Sequence, residues 1–557
     1  MSSTPKHPKG LYFLFFAEMW ERFGYYLMIA IFMLYLQADN VPGGGWGMNM
    51  KDSSSLYGVF IALVFLTPFV GGLLADRKLG YRTSIIIGGL LMGTGYCLVG
   101  VHNITVFYIA LGLVILGNGF FKPNISTLLG NLYNEEKYKD KKDAGYNIFY
   151  SGINIGAFIC TFIAAAMRNN YGWKGAFTSA GVGMFIGVII FIAGNKHYKH
   201  VDILKPLKPT DQSLGKIFGY TLLPSLIAAL IGWQIPGNIF GKDANDAFIF
   251  ACLPIIWFYF RLYKKAESAE KKPIRTMYVI FLVVIVFWAV FKQNGTALTK
   301  WMQLYTEREM PASVLPLATK LSIVDTLKAT DKIRPITDEQ FRLIIVPKLD
   351  PVTQKIKPDT IKGKDLPPYF KNVSADRMPK KNESVYLIPT ELSQSINPGW
   401  VILLTPIVVA FFALLRRKGK EPTTPSKIGW GLLISGLSPF VMMAAVYVCH
   451  NGQEKASILW LIGTYGVVTI GELCLSPMGL SLVSKLSPAR LTALMMGGWF
   501  LSTSIGNMLS GILATFWDNY DNKMLYFMVN VILLLSAAVV MFFLLKKLNQ
   551  VFREYVK

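Results

Sequence analysis

Long apolar runs, separated by short polar connections, recur along almost the whole chain. A run of about 18 to 25 mostly apolar residues has the length of an α-helix that crosses a lipid bilayer, so each predicts one membrane-spanning helix. About fourteen runs meet this description. They begin near Leu11, Ser55, Thr83, Thr105, Ala144, Ala176, Leu214, Ala247, Thr276, Ile396, Ile428, Ile458, Leu491 and Met524.

The composition excludes an ordinary soluble protein. Of the 557 residues, 53% are hydrophobic and only 16% are charged, and the mean hydropathy is +0.41. Soluble domains carry about 25% charged residues. We therefore expect an all-α polytopic membrane protein. The 5 cysteines are scattered through the apolar runs, which favours small core residues over a disulfide framework or a metal site.

The positive charge is concentrated in alternate connections. A formal net charge of +23 would indicate nucleic acid in a soluble chain, but here Lys and Arg follow every second run. Cytoplasmic loops are enriched in Lys and Arg, so we expect both termini in the cytoplasm and an even number of spans. The clusters include Arg77, Lys78 and Arg82; Lys137, Lys139, Lys141 and Lys142; Lys196, Lys199, Lys205 and Lys208; Lys264, Lys265, Lys271, Lys272 and Arg275; and Arg416, Arg417, Lys418 and Lys420.

Three ionisable residues lie inside the first apolar run. Glu18, Glu21, Arg22 and Tyr25 are spaced i, i+3, i+4 and i+7, which places them on one face of a helix. A charge near the bilayer centre costs about 2.5 to 3.5 kcal/mol, so such residues persist where they face a bundle interior or an aqueous path. We interpret this face as part of a transport pathway. The alternative is a set of internal salt bridges that only orient the helix.

A weak internal repeat relates two distant runs. Gly117–Pro123 in the fourth run resembles Gly471–Pro477 in the twelfth. If the seventh and eighth runs form an inserted hairpin, the repeat predicts a major facilitator fold, with two six-helix bundles. The alternative is the general similarity of membrane helices that contain Gly and Pro. If the repeat is real, Lys122 and Glu472 face each other from opposite halves at similar depth and pair when the halves close. The predicted domains are residues 1–200, residues 201–270 with two additional helices, and residues 271–557.

Residues 306–395 are predicted to form an extracytoplasmic insertion between core helices 7 and 8. This segment is rich in Lys, Asp, Pro and Thr and lacks an apolar run long enough to span a membrane. Phe341–Pro347 and Ser384–Pro389 could form strands of a small β-rich appendage, whereas a long disordered loop is the alternative. Because the candidate cavity residues lie in the helices, we expect the insertion to be dispensable for transport.

Several segments resemble motifs of one transporter family. Gly71–Gly80 is similar to the signature loop of major facilitator transporters, in which Asp and Arg form cytoplasmic gate contacts. Glu18–Phe23 matches the ExxERF motif of the proton-coupled oligopeptide transporter (POT/PTR) family, and Tyr146–Phe158 fits its fifth-helix signature. Lys122–Ser126 and Gly471–Pro477 resemble its fourth-helix and tenth-helix motifs. These segments follow the family's order along nearly the whole chain, which makes the resemblance specific.

The resemblance implies a proton-coupled symporter that imports di- and tripeptides by alternating access. The hairpin near 214–263 looks like the two additional helices of prokaryotic members. The expected partners are peptides, protons and the lipid bilayer, with no nucleic acid and no cofactor, and the expected state is a monomer. A same-fold carrier of amino acids, nitrate or another small anion is the alternative. We do not expect the protein to be an enzyme, since metalloprotease, serine hydrolase and phosphate-loop motifs are absent from the sequence. An adhesion or receptor protein would leave the intramembrane charges unexplained.

The resemblance also implies roles for individual residues. Arg22 and Lys122 suit a peptide carboxylate, and Glu472 suits its amino end. Glu18 and Glu21, next to Arg22, are candidates for proton binding, and all five residues are assigned to proton coupling. The remaining candidates for substrate contact are polar or aromatic, and they are Tyr25, Tyr26, Tyr150, Asn154, Trp288, Asn397, Trp499 and Thr503.

Two positions depart from the family pattern at the expected gates. Asp76 and Arg77 of the signature loop are gate candidates that the family shares. Lys292, however, stands where many members have an acidic residue, and Ile29 stands where many have Arg. We expect Lys292 to face the cavity and to pair with an acidic residue of the first helix, as a replacement for the usual outer ion pair. The alternative is that Lys292 extends toward the outer interface.

Overall fold

The structure is a computed structural model that describes residues 7–41, 43–138, 141–203, 215, 218–338, 341–342, 344–349, 356–488 and 491–555. It confirms the predicted all-α membrane fold, because 10 helical segments within these described residues are long and apolar enough to cross a membrane. The principal helices are α1 Gly10–Gln37, α2 Met50–Leu66, α3 Tyr81–Val99, α4 Ile104–Leu132, α5 142–171, α6 173–193, α7 Leu223–Gln234, α8 Asp243–Lys265, α9 Ser268–Phe291, α10 Ile396–Arg417, α11 Thr424–Val448, α12 Ile458–Leu486, α13 Thr492–Thr515 and α14 Lys523–Tyr555.

Polar residues begin several helices at the point where a connection meets an apolar run. Before α2, the side chain of Asn49 accepts the backbone N–H of Asp52, and Asn103 and Thr423 cap α4 and α11 in the same way. These caps satisfy N–H groups that lack partners in the first turn of a helix. Between α5 and α6 the backbone turns at Gly172, whose φ of 68° is a conformation that glycine adopts at little cost.

Glycines allow close approach of α3 to α4 and, in the second half, of α11 to α12. A Cβ atom on Gly117 of α4 would lie 2.6 Å from the carbonyl oxygen of Gly88 on α3. Likewise, a Cβ atom on Gly471 of α12 would lie 2.6 Å from the carbonyl oxygen of Gly431 on α11. Close packing through small residues is a main source of helix association in membranes. Gly117 and Gly471 occupy matching positions of the internal repeat, so the repeat corresponds to an equivalent contact in each half.

The two halves, α1–α6 and α9–α14, are in close contact on one side of the bundle. We refer to the side that carries residues 306–395 as the insertion side, and to the side where α1 begins and α14 ends as the terminal side. On the insertion side, a Cβ atom on Gly511 of α13 would lie 2.7 Å from the Cα atom of Gly58 on α2. The Ser504 hydroxyl of α13 donates to the carbonyl oxygen of Ala62 at 2.5 Å. These contacts close the insertion side.

Helix α8 contacts both halves of the bundle, and α7 packs against α8. The Ser55 hydroxyl on α2 donates to Asn245 Oδ1 on α8 at 2.6 Å. Farther along α8, the Tyr259 hydroxyl donates to the carbonyl oxygen of Leu494 on α13 at 2.7 Å. The hairpin therefore packs beside the α2–α13 contact.

The insertion contains nested antiparallel strand pairs. Ser384–Pro389, one of the two segments predicted to form strands, contains a strand, and the other, Phe341–Pro347, overlaps one. A small core of its own is formed by Ala329, Tyr369, Phe370 and Leu387. The pairs are β1 Asp325–Lys328 with β6 Ser384–Leu387, β2 Lys332–Pro335 with β5 Lys362–Asp365, and β3 Ile345–Leu349 with β4 Ile356–Thr360.

Gly511→Val is expected to destabilise the protein, because the added side chain would overlap the backbone of Gly58. Overpacking of this kind costs about 1 to 3 kcal/mol. The midpoint of thermal unfolding in detergent measures the effect. Gly112→Val on α4 is the matched control, since a Cβ atom there has no described atom within 4 Å. Equal midpoints for the two variants would contradict the close α2–α13 contact.

Candidate functional site

Arg22 lies between two carboxylates of α1 in the buried centre of the bundle. Glu18, Glu21 and Arg22 are 3%, 0% and 4% exposed. Arg22 Nε lies 3.2 Å from Glu18 Oε1 and also forms an ion pair with Glu21. From α4, Asn118 Nδ2 donates to Glu21 Oε1 at 3.4 Å. Within the described part of the chain, Arg22 Nη2, Glu18 Oε2 and Asn118 Oδ1 have no hydrogen-bond partner, so the cluster retains one donor and two acceptors for a further group.

Two lysines from opposite halves share the aromatic ring of Phe65 on α2. The Nζ atom of Lys122 on α4 lies 3.9 Å from the ring centroid, and that of Lys292, directly after α9, lies 5.7 Å from it. Such cation–π contacts contribute about 0.5 to 2 kcal/mol. Among the described residues, neither ammonium has a carboxylate oxygen within 4.0 Å. Both cations are therefore held by a ring and remain able to bind an anion.

Glu472 of α12 is held by residues of its own half. Asn397 Nδ2 of α10 donates to Glu472 Oε2 at 3.0 Å and lies 2.8 Å from Thr469 Oγ1. The lysine that acts electrostatically on Glu472 is Lys292, whereas Lys122 lies in the field of the charged residues of α1. Neither lysine forms an ion pair with a described carboxylate in this conformation, so the predicted pairings stay predictions.

Four aromatic candidates surround these charges. Arg22 Cζ lies 5.3 Å from the ring centroid of Tyr25, which packs edge to face against Tyr26 at 5.3 Å. Tyr150 of α5 has Tyr26 and the α12 carboxylate as electrostatic neighbours. The ring of Trp288 lies 5.5 Å from the ammonium of the lysine one turn later. These side chains line the central site without demanding one ligand shape.

Three predicted substrate contacts make other hydrogen bonds or packing contacts in this conformation. The Asn154 amide donates to the carbonyl oxygen of Tyr150 one turn earlier. The Thr503 hydroxyl donates to the carbonyl oxygen of Trp499, whose ring lies 6.2 Å from that of Phe281. Their predicted substrate roles therefore stay predictions.

The gate candidates of the signature loop lie beside a residue that the sequence did not indicate. Asp76, in the turn Ala75–Leu79, accepts a hydrogen bond from the Tyr81 hydroxyl at 2.6 Å. The side chain of Arg77 lies outside the described residues. Asp202, after α6, accepts the Tyr81 backbone N–H at 2.8 Å. No local motif marks Asp202, because its partners are distant in the chain.

One aromatic residue of the central site is partly exposed, and the insertion side of the site is closed. Tyr150, which faces the central charges from the early part of α5, is 40% exposed. On the insertion side, the hydroxyl groups of Thr161 and Ser395 join α5 to the start of α10. A cavity of about 20 Å³ beside Tyr26 and Ile29 has room for about one water molecule. The insertion side of the central site is therefore closed in this conformation.

Comparison with known proteins gives consistent matches over most of the chain. The family model described as the POT family matches residues 82–316 and 372–532. A di-/tripeptide transporter of Lactococcus lactis is 29% identical over 513 residues, which cover 90% of this chain and 88% of the relative. Dipeptide and tripeptide permease A of Escherichia coli is 26% identical over 514 residues, covering 91% and 84%. A crystal structure of the peptide transporter POT in complex with sulfate matches with a TM-score of 0.73 and 27% identity, over 98% of this chain and 96% of that chain.

Glu472→Gln combined with Lys292→Gln is expected to be non-additive, because each of these two charges lies in the electrostatic field of the other. Residues in one charge network show interaction energies of about 0.5 to 3 kcal/mol. Thermal unfolding of the two single variants and the double variant measures the interaction. The same cycle with Lys122→Gln in place of Lys292→Gln is the control and should be closer to additive. A larger coupling for Lys122 would restore the pairing expected from the repeat.

Proposed function

Because the chain belongs to the POT family of transporters, we propose that it carries di- and tripeptides across the cell inner membrane together with protons, by alternating access. The observation that supports this most directly is the central site. It brings Arg22, Lys122, Lys292 and Glu472 together at the centre of the bundle, between the two halves. A zwitterionic peptide has a negative and a positive end, and a site with separated cations and a carboxylate suits both.

The terminal carboxylate of a peptide is assigned to Arg22 and Lys122, and its amino group to Glu472. Arg22 Nη2 is available for a hydrogen bond, and the Lys122 ammonium is held by a ring and not by a carboxylate. Asn397 orients Glu472 at 3.0 Å. The aromatic side chains provide apolar surface that tolerates different peptide side chains. The site can therefore accept different peptide side chains, because its charged residues bind the two ends that all peptides share.

The proton sites are assigned to Glu18 and Glu21. When either carboxyl group takes up a proton, its attraction for Arg22 weakens, and the guanidinium becomes free to bind a peptide carboxylate. Binding of the proton and of the peptide are then linked through Arg22, which contacts both carboxylates. This linkage allows a proton gradient to drive the accumulation of peptide.

The proposed orientation places the insertion side outside the cell and both termini in the cytoplasm. Lys and Arg follow every second membrane helix on the terminal side, as cytoplasmic loops require. The conformation of this structure is then closed toward the outside of the cell. A monomer is sufficient for this mechanism, because the site lies between the two halves of one chain.

Glu21→Gln is expected to abolish accumulation of a labelled dipeptide in proteoliposomes under an inside-alkaline or inside-negative gradient, because the amide cannot take up the proton. Exchange of external for internal peptide, which requires no net proton movement, should stay within a few-fold of the unmodified protein. Glu454→Gln, an exposed position between α11 and α12, is the control and should accumulate normally. Accumulation without any gradient would refute proton coupling. Competition by nitrate or free amino acids, but not by dipeptides, would support the same-fold alternative.

A further inference from the structure

Four charged side chains meet where the insertion touches α5. Near the end of α5, Arg168 Nη2 lies 2.6 Å from Asp325 Oδ1, and Arg168 Nε lies 2.7 Å from Glu391 Oε1. Arg308 Nη1 lies 3.8 Å from Asp325 Oδ2. Glu391 and Arg308 are 1% and 5% exposed. Two cations and two anions balance each other here, and a buried charge is costly once its partner leaves.

The insertion that carries Asp325 and Glu391 is attached to the second half of the bundle. Asn372 Nδ2 donates to the carbonyl oxygens of Leu304, in the helical extension after α9, and of Gly452, between α11 and α12, at 3.2 and 3.0 Å. Arg342 Nη1 lies 2.7 Å from a carboxylate oxygen of Asp521, between α13 and α14. Attachments to three separate connections of one half indicate that the insertion moves with that half.

The first half meets the insertion at the turn between α5 and α6. Asn169 Nδ2 donates to the carbonyl oxygens of Ser322 and Val324, both at 2.9 Å. The Ser322 hydroxyl donates to Asn170 Oδ1 at 3.4 Å. Together with the ion pairs of Arg168, these contacts join residues of opposite halves. They must be lost whenever the halves separate on the insertion side.

The charge of the cluster divides unequally between the halves. Arg168 alone comes from the first half, while Arg308, Asp325 and Glu391 come from the insertion. Burial lowers the pKa of Arg308, and the nearby carboxylates oppose this effect. When Arg168 is withdrawn, one arginine remains for two carboxylates, so one negative charge is left in excess. Separation at this point is therefore resisted by charge as well as by packing.

We propose that Arg168 is a gate residue whose ion pairs with Asp325 and Glu391 join the insertion to the first half and keep the insertion side closed. Alternating access requires this side to open, so the ion pairs break once in each cycle. The inference rests on the proposed transport function. It gives the insertion a role in transport, in contrast to the expectation from the sequence that the segment is dispensable.

The first test joins the two halves covalently. In the double variant Asn170→Cys and Ser322→Cys, a short thiol-reactive linker should abolish peptide uptake in proteoliposomes, and the corresponding single variants should keep their uptake after the same treatment. Arg342→Cys with Asp521→Cys is the matched control, because this pair joins the insertion to the half with which it moves. Cross-linking of this control should leave uptake within about two-fold. Full uptake by the cross-linked Asn170/Ser322 variant would overturn the proposal.

The second test measures opening without any substrate. Ile29→Cys is a reporter at the cavity on the insertion side. A membrane-impermeant thiol reagent, added to vesicles from the insertion side, reaches this thiol when that side opens. Arg168→Gln should raise the labelling rate at least ten-fold, and Arg168→Lys, which keeps the charge, should restore most of the closure. Equal rates for the unmodified, Gln and Lys backgrounds would overturn the gate assignment.

The two tests separate the gate from the transport function. If the protein moved no dipeptide at all, the uptake assay would fail for every variant, including the Arg342/Asp521 control, and the proposed substrate would be wrong. The labelling assay uses no peptide and would still report on Arg168. Faster labelling of the Arg168→Gln reporter in that case would support the gate while refuting the peptide substrate.

Discussion

The need to compensate buried charge governs this structure. Six charged side chains lie at the centre of an apolar bundle. Within each half, the number of acidic groups equals the number of basic groups. With all six ionised, neither half carries a net central charge, so the halves can move relative to each other without leaving an isolated charge in the membrane. The members are Glu18, Glu21, Arg22 and Lys122 in the first half, and Lys292 and Glu472 in the second.

The cluster around Arg168 has the opposite arrangement, because its charges are unequally shared between the halves. Separation there exposes an imbalance, whereas separation at the centre does not. The packing of Gly58 against Gly511 adds contact at the same side but no charge. Closure on the insertion side therefore combines an apolar helix contact with an ion cluster, while the central charges remain available for ligands. This division allows one set of residues to hold the conformation and another to bind substrate.

The helices, the charged face of α1 and the approximate place of the strands could be predicted, because each depends on local patterns of apolar, polar and capping residues. Pairings between distant segments could not. The repeat relates Glu472 to Lys122, whereas the lysine that acts on Glu472 electrostatically is Lys292, on a helix outside the repeat. The contact of Arg168 with Glu391 joins residues far apart in sequence, and no periodicity reports it. The contact of Asp202 with the signature loop could not be predicted for the same reason, since Asp202 and its partner Tyr81 are far apart in sequence.

The net charge of the central site changes during the proposed cycle only when a proton binds. A zwitterionic peptide adds no net charge to a site whose six groups balance, so its entry leaves the electrostatics of the bundle nearly unchanged. A proton on Glu18 or Glu21 adds one positive charge to the first half. The loaded carrier then differs from the empty one by that charge, which makes its movement sensitive to the membrane potential, at about 2.3 kcal/mol per charge for each 100 mV. The same proton loosens Arg22, so the electrical driving force and the release of the peptide-binding guanidinium arise from a single event.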